Sequence, residues 1–189
     1  YTNIAVNKYL RGHELNDMDR RLMTELVYGT VKAVGTIDWY LQQCVTRPLD
    51  KIDKLVLSIL RISVYQLLYM DKIPASAACN EAVNLARLFS HEGTAKFVNG
   101  VLRGLLRKKD SFTFPDADKE TADYISLAMY HPRWLVKKWL KNYGRAETEA
   151  LCAFDNTPAP VCLRVNTLVT TRDALLAKLT EAGAEVRAS

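Results

Sequence analysis

The sequence has few of the residue patterns that build metal sites, disulfides or membrane spans. It contains four cysteines, but no two have CxxC spacing and none clusters with the three histidines. This pattern favours free thiols in a reducing compartment and argues against zinc. The longest apolar stretch, residues 55–70, is interrupted by polar side chains and is too short to span a bilayer. We therefore expect a cytoplasmic protein with no metal and no membrane partner.

Motifs that carry catalysis or bind nucleotides are also missing. The sequence has no GxGxxG or GxxxxGK[ST] loop and no HxxE or HExxH pair. His13, His91 and His131 are far apart in the chain, and Cys162 does not follow a proline directly. We therefore expect no catalytic residue, no cofactor-binding residue and no activity from this chain alone.

The first 109 residues have the periodicity of an all-α bundle. Asn16 with Asp19 is typical of a helix start, and Asp53 can cap a long apolar helix that ends near Met70. The pattern predicts five or six helices joined by short loops and no convincing strand. This part holds 16 basic and 10 acidic residues, a net charge of +6, which weakly favours a polyanionic partner.

The remaining residues predict a different organisation. Residues 110–123 are acidic and carry one proline, and we interpret them as a linker. In residues 124–189 the sequence pattern predicts a helical segment that leads into a small α+β subdomain. Its pattern is strand, helix and strand, the start of a split β-α-β unit that lacks further strands. The whole chain is expected to be mainly α, and we interpret it as a piece of a longer protein.

Two helices repeat one arrangement of charge. In the segment KFVNGVLRGLLRKK, Lys96, Arg103 and Arg107 fall opposite a broad apolar face. On an earlier helix, Arg21, Tyr28 and Lys32 have the same spacing. If the bundle places these faces side by side, they form one basic surface with an aromatic ring. The alternative is that both are ordinary solvated faces, with Tyr28 half-buried.

Gly100 interrupts the second of these helices, next to Asn99. A glycine inside a helix costs about 1 kcal/mol relative to alanine. It would fit either the close approach of a neighbouring helix or a bare stretch of backbone against which a ligand can lie.

Three stretches carry a resemblance to a known fold. They are ELVYGTVK, LRISVYQLLYMDKIPASAACNEAVNLAR and KFVNGVLRGLLRKK, and together they resemble the NusB-type all-α RNA-binding fold over residues 1–109. Further along, YHPRWLVKKW and APVCLRVNT are similar to the RsmB (Sun/Fmu) family of bacterial 16S ribosomal RNA cytosine-5 methyltransferases. That family's S-adenosylmethionine loop and catalytic cysteines lie in a further domain, whose motifs are not in this sequence.

The resemblance implies a role in substrate recognition. The full-length enzyme would transfer a methyl group from S-adenosyl-L-methionine to a cytosine of 16S ribosomal RNA, with a ribosomal protein as a further candidate partner. The expected RNA-binding residues are Arg21, Tyr28, Lys32, Lys96, Asn99, Gly100, Arg103 and Arg107. Two alternatives remain open: a non-catalytic NusB-type factor in antitermination or ribosome assembly, and a protein–protein module without RNA contact.

Overall fold

The computed structural model describes residues 1–159 and 161–188, which contain nine α-helices and no β-strand. The helices are α1 Thr2–Gly12, α2 Asp17–Lys32, α3 Val34–Gln42, α4 Lys54–Tyr69, α5 Ala75–Phe89, α6 Glu92–Lys108, α7 Thr121–Ala128, α8 Arg133–Asp155 and α9 Arg172–Glu181. Six of them lie within residues 1–109, which confirms the predicted all-α bundle. The chain forms two compact units, Tyr1–Asn156 and the residues from Thr157 onwards.

Side-chain caps start the helices where the sequence predicted. The Asn16 side-chain oxygen accepts a hydrogen bond from the backbone N–H of Asp19 at 2.8 Å. Asp53 accepts from Leu55 and Val56 at 2.9 and 3.2 Å, so it caps α4. Each cap satisfies backbone donors that the first helical turn leaves without a partner.

Helix α4 forms the centre of the bundle. It packs against α2, α3, α5 and α6. Its buried residues cover most of its circumference and are Val56, Leu57, Ile59, Leu60, Ser63, Val64, Tyr65 and Leu67. Most of the apolar circumference predicted from the sequence is therefore confirmed, although Leu55 in the first turn is 44% exposed.

The apolar residues of α2 are less buried than their helical spacing suggests. Leu22 and Val31 are 42% and 50% exposed, and Thr30 is the one buried residue of the helix. Helix α2 lies at the edge of the bundle, between α1, α3 and α4. An edge helix buries a narrower stripe than a central one, which the periodicity of the sequence cannot distinguish.

The acidic segment after α6 lies against the bundle. A 3₁₀ turn at Lys109–Ser111 is followed by two aromatic residues, Phe112 and Phe114, which approach Trp39 of α3 edge-on at 6.1 and 5.1 Å between ring centroids. These contacts hold residues 112–114 on the surface of α3. The domain boundary placed within residues 110–123 stays a prediction.

Helices α7 and α8 form a second, smaller apolar cluster within the first unit. Ile125, Val136 and Cys152 are its buried residues. Helix α7 also packs on α3, where the Thr36 hydroxyl donates to the Leu127 carbonyl at 2.7 Å. Gly144 has φ +76° and breaks α8 into two helical pieces.

The predicted β-α-β start is formed only in its helix. Helix α9 is capped by Thr171, and Gly183 follows it at φ +83°, as expected for a C-terminal glycine. The flanking segments at 161–167 and 184–187 are without strand structure in the part of the chain that is described. A strand needs a hydrogen-bonded neighbour, and these two segments do not pair with each other.

Candidate nucleic-acid interface

Helix α6, which carries one of the two predicted basic faces, is capped and well packed. His91 caps the helix by accepting from the Thr94 N–H at 3.3 Å. Its inner face buries Ala95, Val98, Val101, Leu102 and Leu105. This burial fixes the rotation of α6 about its axis, so the opposite face points to solvent.

The predicted residues of this face are on the surface. Lys96, Arg103 and Arg107 are exposed, and Asn99 is half-buried. The Arg103 Nε donates to the Asn99 side-chain oxygen at 3.0 Å, which holds the guanidinium over the helix. None of the three cations forms an ion pair in the described residues. Their charges are therefore available to an anion.

Gly100 lies in open space on the same face. A Cβ atom added there would meet no neighbour within 4 Å. The close approach of another helix therefore does not explain this glycine. What the structure shows is a bare stretch of backbone between Lys96 and Arg103.

We expect Gly100→Ala to stabilise the protein. The added methyl group meets nothing, and alanine is favoured over glycine inside a helix by about 1 kcal/mol. For a chain of this size, the melting temperature should rise by about 2–4 °C. Thermal unfolding followed by circular dichroism measures the change, and a lower melting temperature would mean that the site is more crowded than the geometry shows.

The α2 face is exposed but sits elsewhere on the bundle. Arg21 and Lys32 are exposed and Tyr28 is 39% exposed. Glu25, the acidic neighbour of this face, accepts a hydrogen bond from the Tyr65 hydroxyl at 2.5 Å. The carboxylate is thus tied to α4.

The two faces do not merge into one surface through direct helix packing. Helices α2 and α6 each pack on α4, but across their described residues they make at most slight contact with each other. The eight predicted residues therefore form two groups, three on α2 and five on α6. Whether they bind RNA stays a prediction.

A cavity that the sequence did not indicate lies beside the α2 group. It has a volume of about 710 Å³ and is lined by residues from the α2–α3 junction, the segment before α7, and the α7–α8 turn. Lys32 is one of its lining residues. The lining comes from parts of the chain about 90 residues apart, and no short motif could have revealed it.

Three of the four cysteines lack the properties of catalytic nucleophiles. All four are free thiols. Burial raises the pKa of the Cys44, Cys79 and Cys152 thiols above the ordinary value. A nucleophilic cysteine needs a lowered pKa, since the thiolate is the reactive form.

Metal sites and membrane spans have no candidate among the described residues. Across residues 1–159 and 161–188, no group of three or more histidine, cysteine or acidic side chains could hold a metal ion. No helix in these same ranges is long and apolar enough to cross a membrane.

Comparison with known proteins identifies the bundle. The sequence profile of the NusB family matches residues 1–107, more than half of the chain, and the chain belongs to that family. A second profile, the ferredoxin-like domain of RsmF/B-like methyltransferases, matches residues 131–189. Both agree with the resemblance drawn from the sequence motifs.

Curated relatives of the chain include ribosomal RNA methyltransferases. The chain is 38% identical to the probable ribosomal RNA small subunit methyltransferase B of Bacillus subtilis strain 168, over 98% of its own length and 41% of that protein. A Synechocystis protein of the same name is also 38% identical, with 96% and 40% covered. An Escherichia coli relative is 31% identical over 90% of this chain and 38% of its own. The chain thus spans about two fifths of these relatives.

A solved structure supports the fold. The crystal structure of PH0851 matches with a TM-score of 0.67 and 21% sequence identity, over 97% of this chain and 41% of that one. At this identity the likeness concerns the fold alone.

Proposed function

We propose that this chain is the RNA-recognition region of an S-adenosylmethionine-dependent 16S ribosomal RNA cytosine-C5 methyltransferase. The observation that carries the proposal is the solvent-facing row of unpaired cations on α6, Lys96, Arg103 and Arg107, in a NusB-family bundle. Cations that form no ion pair can neutralise phosphates and release counterions, which supplies most of the affinity for nucleic acid. The names of the relatives support ribosomal RNA as the ligand.

The residues of this chain do not fit the methyl donor. S-adenosylmethionine sites of the expected kind use a glycine-rich loop between a strand and a helix. The sequence has no such loop, and the described residues form no strand. The role that these residues support is binding and placing RNA, and we derive no chemical step for them.

The polar side chains on α6 can bind a phosphate backbone in a defined position. Asn99 orients the Arg103 guanidinium, while Lys96 and Arg107 lie one to two helical turns away on either side. Gly100 leaves room for a phosphate to approach the helix backbone between Lys96 and Arg103. Filling this space with Gly100→Ala should weaken RNA binding while the fold is kept.

Removing the three α6 cations should weaken RNA binding strongly. We expect Lys96→Ala combined with Arg103→Ala and Arg107→Ala to lower affinity for a 16S ribosomal RNA hairpin by about tenfold or more. Each lost phosphate contact should also flatten the log–log salt dependence by about 0.7 to 0.9. Fluorescence anisotropy titrations over a series of salt concentrations measure both quantities.

A matched control uses α8. Lys137, Lys138 and Lys141 are also exposed lysines, and replacing all three by alanine changes the net charge equally. The α8 variant should keep affinity and salt slope close to those of the original protein. Equal losses of affinity in both triple variants would mean that only the overall charge of the protein matters. Unchanged affinity of the α6 variant would contradict the proposal.

A further inference from the structure

The cavity beside α2 has the size of a small-ligand site. Its volume of about 710 Å³ falls in the range of roughly 300–1,000 Å³ that is typical of such sites. Val31, Lys32 and Gly35 form one wall near the α2–α3 junction, and Tyr130 and Pro132 form another. Val31 is 50% exposed because it faces this opening instead of the bundle core.

The wall formed by the α7–α8 turn is strained and firmly held. Tyr130 has φ +59° and is the one described non-glycine residue in the left-handed region, a conformation that costs about 1–2 kcal/mol. Its ring meets Tyr69 edge-on at 5.9 Å. Beside it, the Ser126 hydroxyl donates to the His131 carbonyl at 2.6 Å. Strain that the surroundings hold in place is found preferentially at binding sites.

The opposite wall offers an aromatic surface. Trp39, one turn after Gly35 on α3, lines the cavity and is only partly buried. Its edge contacts with Phe112 and Phe114 fix the orientation of the indole. A fixed, partly open indole is suited to stack on a flat ring.

The charges around the cavity favour a ligand that places a neutral group inside it and an attached anionic group at Lys32. Arg133 is held by two hydrogen bonds to Asp123, and Glu120 adds a further carboxylate, so a free polyanion gains little inside. Lys32 is different, because its Nζ makes only a long 3.4 Å hydrogen bond to the Asn156 carbonyl. It also ends the row that begins at Arg21, about 16 Å away along the helix axis at 1.5 Å per residue.

We propose that this cavity accepts one unpaired base of the bound RNA, stacked against Trp39, with the adjoining phosphate at Lys32. The RNA backbone would follow the row Arg21, Tyr28 and Lys32 towards the opening. This inference rests on the proposed RNA-binding function and adds a site for single-stranded RNA that none of the sequence motifs indicated. Single-stranded segments are where proteins reach the faces of RNA bases.

Gly35 provides a direct test, because it lines the cavity and a Cβ atom there meets nothing within 4 Å. Gly35→Phe should fill the cavity, while Gly35→Ala leaves it nearly open. Gly12→Phe is the matched control, since Gly12 is also in open space and lies on α1 away from both candidate groups. Thermal unfolding of all three variants confirms that they are folded.

The probes are a labelled twelve-nucleotide oligouridine and an RNA duplex of the same length. Gly35→Phe should weaken binding of the oligouridine about fivefold or more, the low end expected for one stacked base. Its affinity for the duplex should not change, Gly35→Ala should weaken oligouridine binding less than Gly35→Phe does, and Gly12→Phe should bind both probes as the original protein does. Equal affinity of Gly35→Phe for the oligouridine would overturn the inference.

A second measurement does not depend on any variant. Oligouridine carrying 5-bromouridine, irradiated in complex with the original protein, should crosslink to the peptides that contain Trp39 or Tyr130. Crosslinks found only on α6 would overturn the cavity assignment and leave the proposed function standing. If the original protein binds the 16S ribosomal RNA hairpin but not the oligouridine, this inference fails and the proposed function stands; if it binds neither, both fail.

Discussion

Gly29→Ala should destabilise the protein by about 2 kcal/mol, although alanine is the better helix former. A Cβ atom at this position would lie 2.0 Å from Cζ of Tyr65 and 2.1 Å from its hydroxyl oxygen. No real contact is this short, so the ring must move. Forcing extra volume into a packed site costs about 1–3 kcal/mol. The loss appears as a lower midpoint in urea unfolding at unchanged slope.

The Tyr65 ring cannot move away at little cost. It is 8% exposed and stacks on Tyr69 with 5.3 Å between centroids. Its hydroxyl donates to Glu25 at 2.5 Å, one turn before Gly29 on α2. Burial, and then this hydrogen bond, raise the pKa of Tyr65 to about 12. A shift of the ring would break the contact that joins α2 to α4.

Two comparisons isolate the collision. Gly100→Ala is the same substitution in a helix interior with open space around it, and it should change stability in the opposite direction. In a Tyr65→Ala background the obstacle is gone, so Gly29→Ala should then become stabilising by up to about 1 kcal/mol. If Gly29→Ala destabilises equally with and without the Tyr65 ring, the close approach of the ring is not the cause.

Features fixed by neighbouring residues could be predicted from the sequence. The Asn16 and Asp53 caps, the start of α5 after Pro74 and the break at Gly144 all depend on side chains within a few residues of the backbone that they affect. The exposed cations of α6 also follow from local periodicity, because a strongly amphipathic helix has one way to bury its apolar face.

Features that join distant segments could not be predicted in this way. The fit between Gly29 and Tyr65 spans 36 positions, and neither residue alone signals it. The cavity beside Lys32 needs the α7–α8 turn to dock on α3, through the Thr36 hydroxyl and the Leu127 carbonyl. Whether the α2 and α6 faces lie side by side depends on how both helices pack on α4, and the periodicity of each helix does not contain that arrangement.

One distant contact was predictable in kind. A guanidinium on a helix as buried as α4 must be neutralised, so a carboxylate or a helix end is expected beside Arg61. The structure pairs it with Asp38 of α3, with Nε and Nη2 donating at 2.7 and 2.6 Å. Which carboxylate accepts these hydrogen bonds depends on the angle at which α3 crosses α4, and the sequence pattern does not show that angle.

Asp38→Ala should cost about 2 kcal/mol, because it leaves the Arg61 guanidinium without a partner. Both side chains are 29% exposed, so the loss should be less than the 3–5 kcal/mol expected for a fully buried pair. Arg61→Lys should also destabilise, since an ammonium group cannot replace the two parallel hydrogen bonds. The double variant Asp38→Leu with Arg61→Met should lose less free energy of unfolding than Asp38→Ala alone, because no buried charge remains.

A second pair of the same geometry serves as the control. Arg87 of α5 donates to Glu92 of α6 at 2.9 and 3.2 Å, but these side chains are 55% and 57% exposed. Water and salt screen this pair, so Arg87→Ala should change the urea midpoint far less than Asp38→Ala does. Both pairs join an arginine to a carboxylate through Nε and Nη2 and connect neighbouring helices; they differ in solvent exposure and in the carboxylate, which is Asp38 in one and Glu92 in the other. Equal losses from Asp38→Ala and Arg87→Ala would show that partial burial of the Arg61–Asp38 pair does not set its contribution to stability.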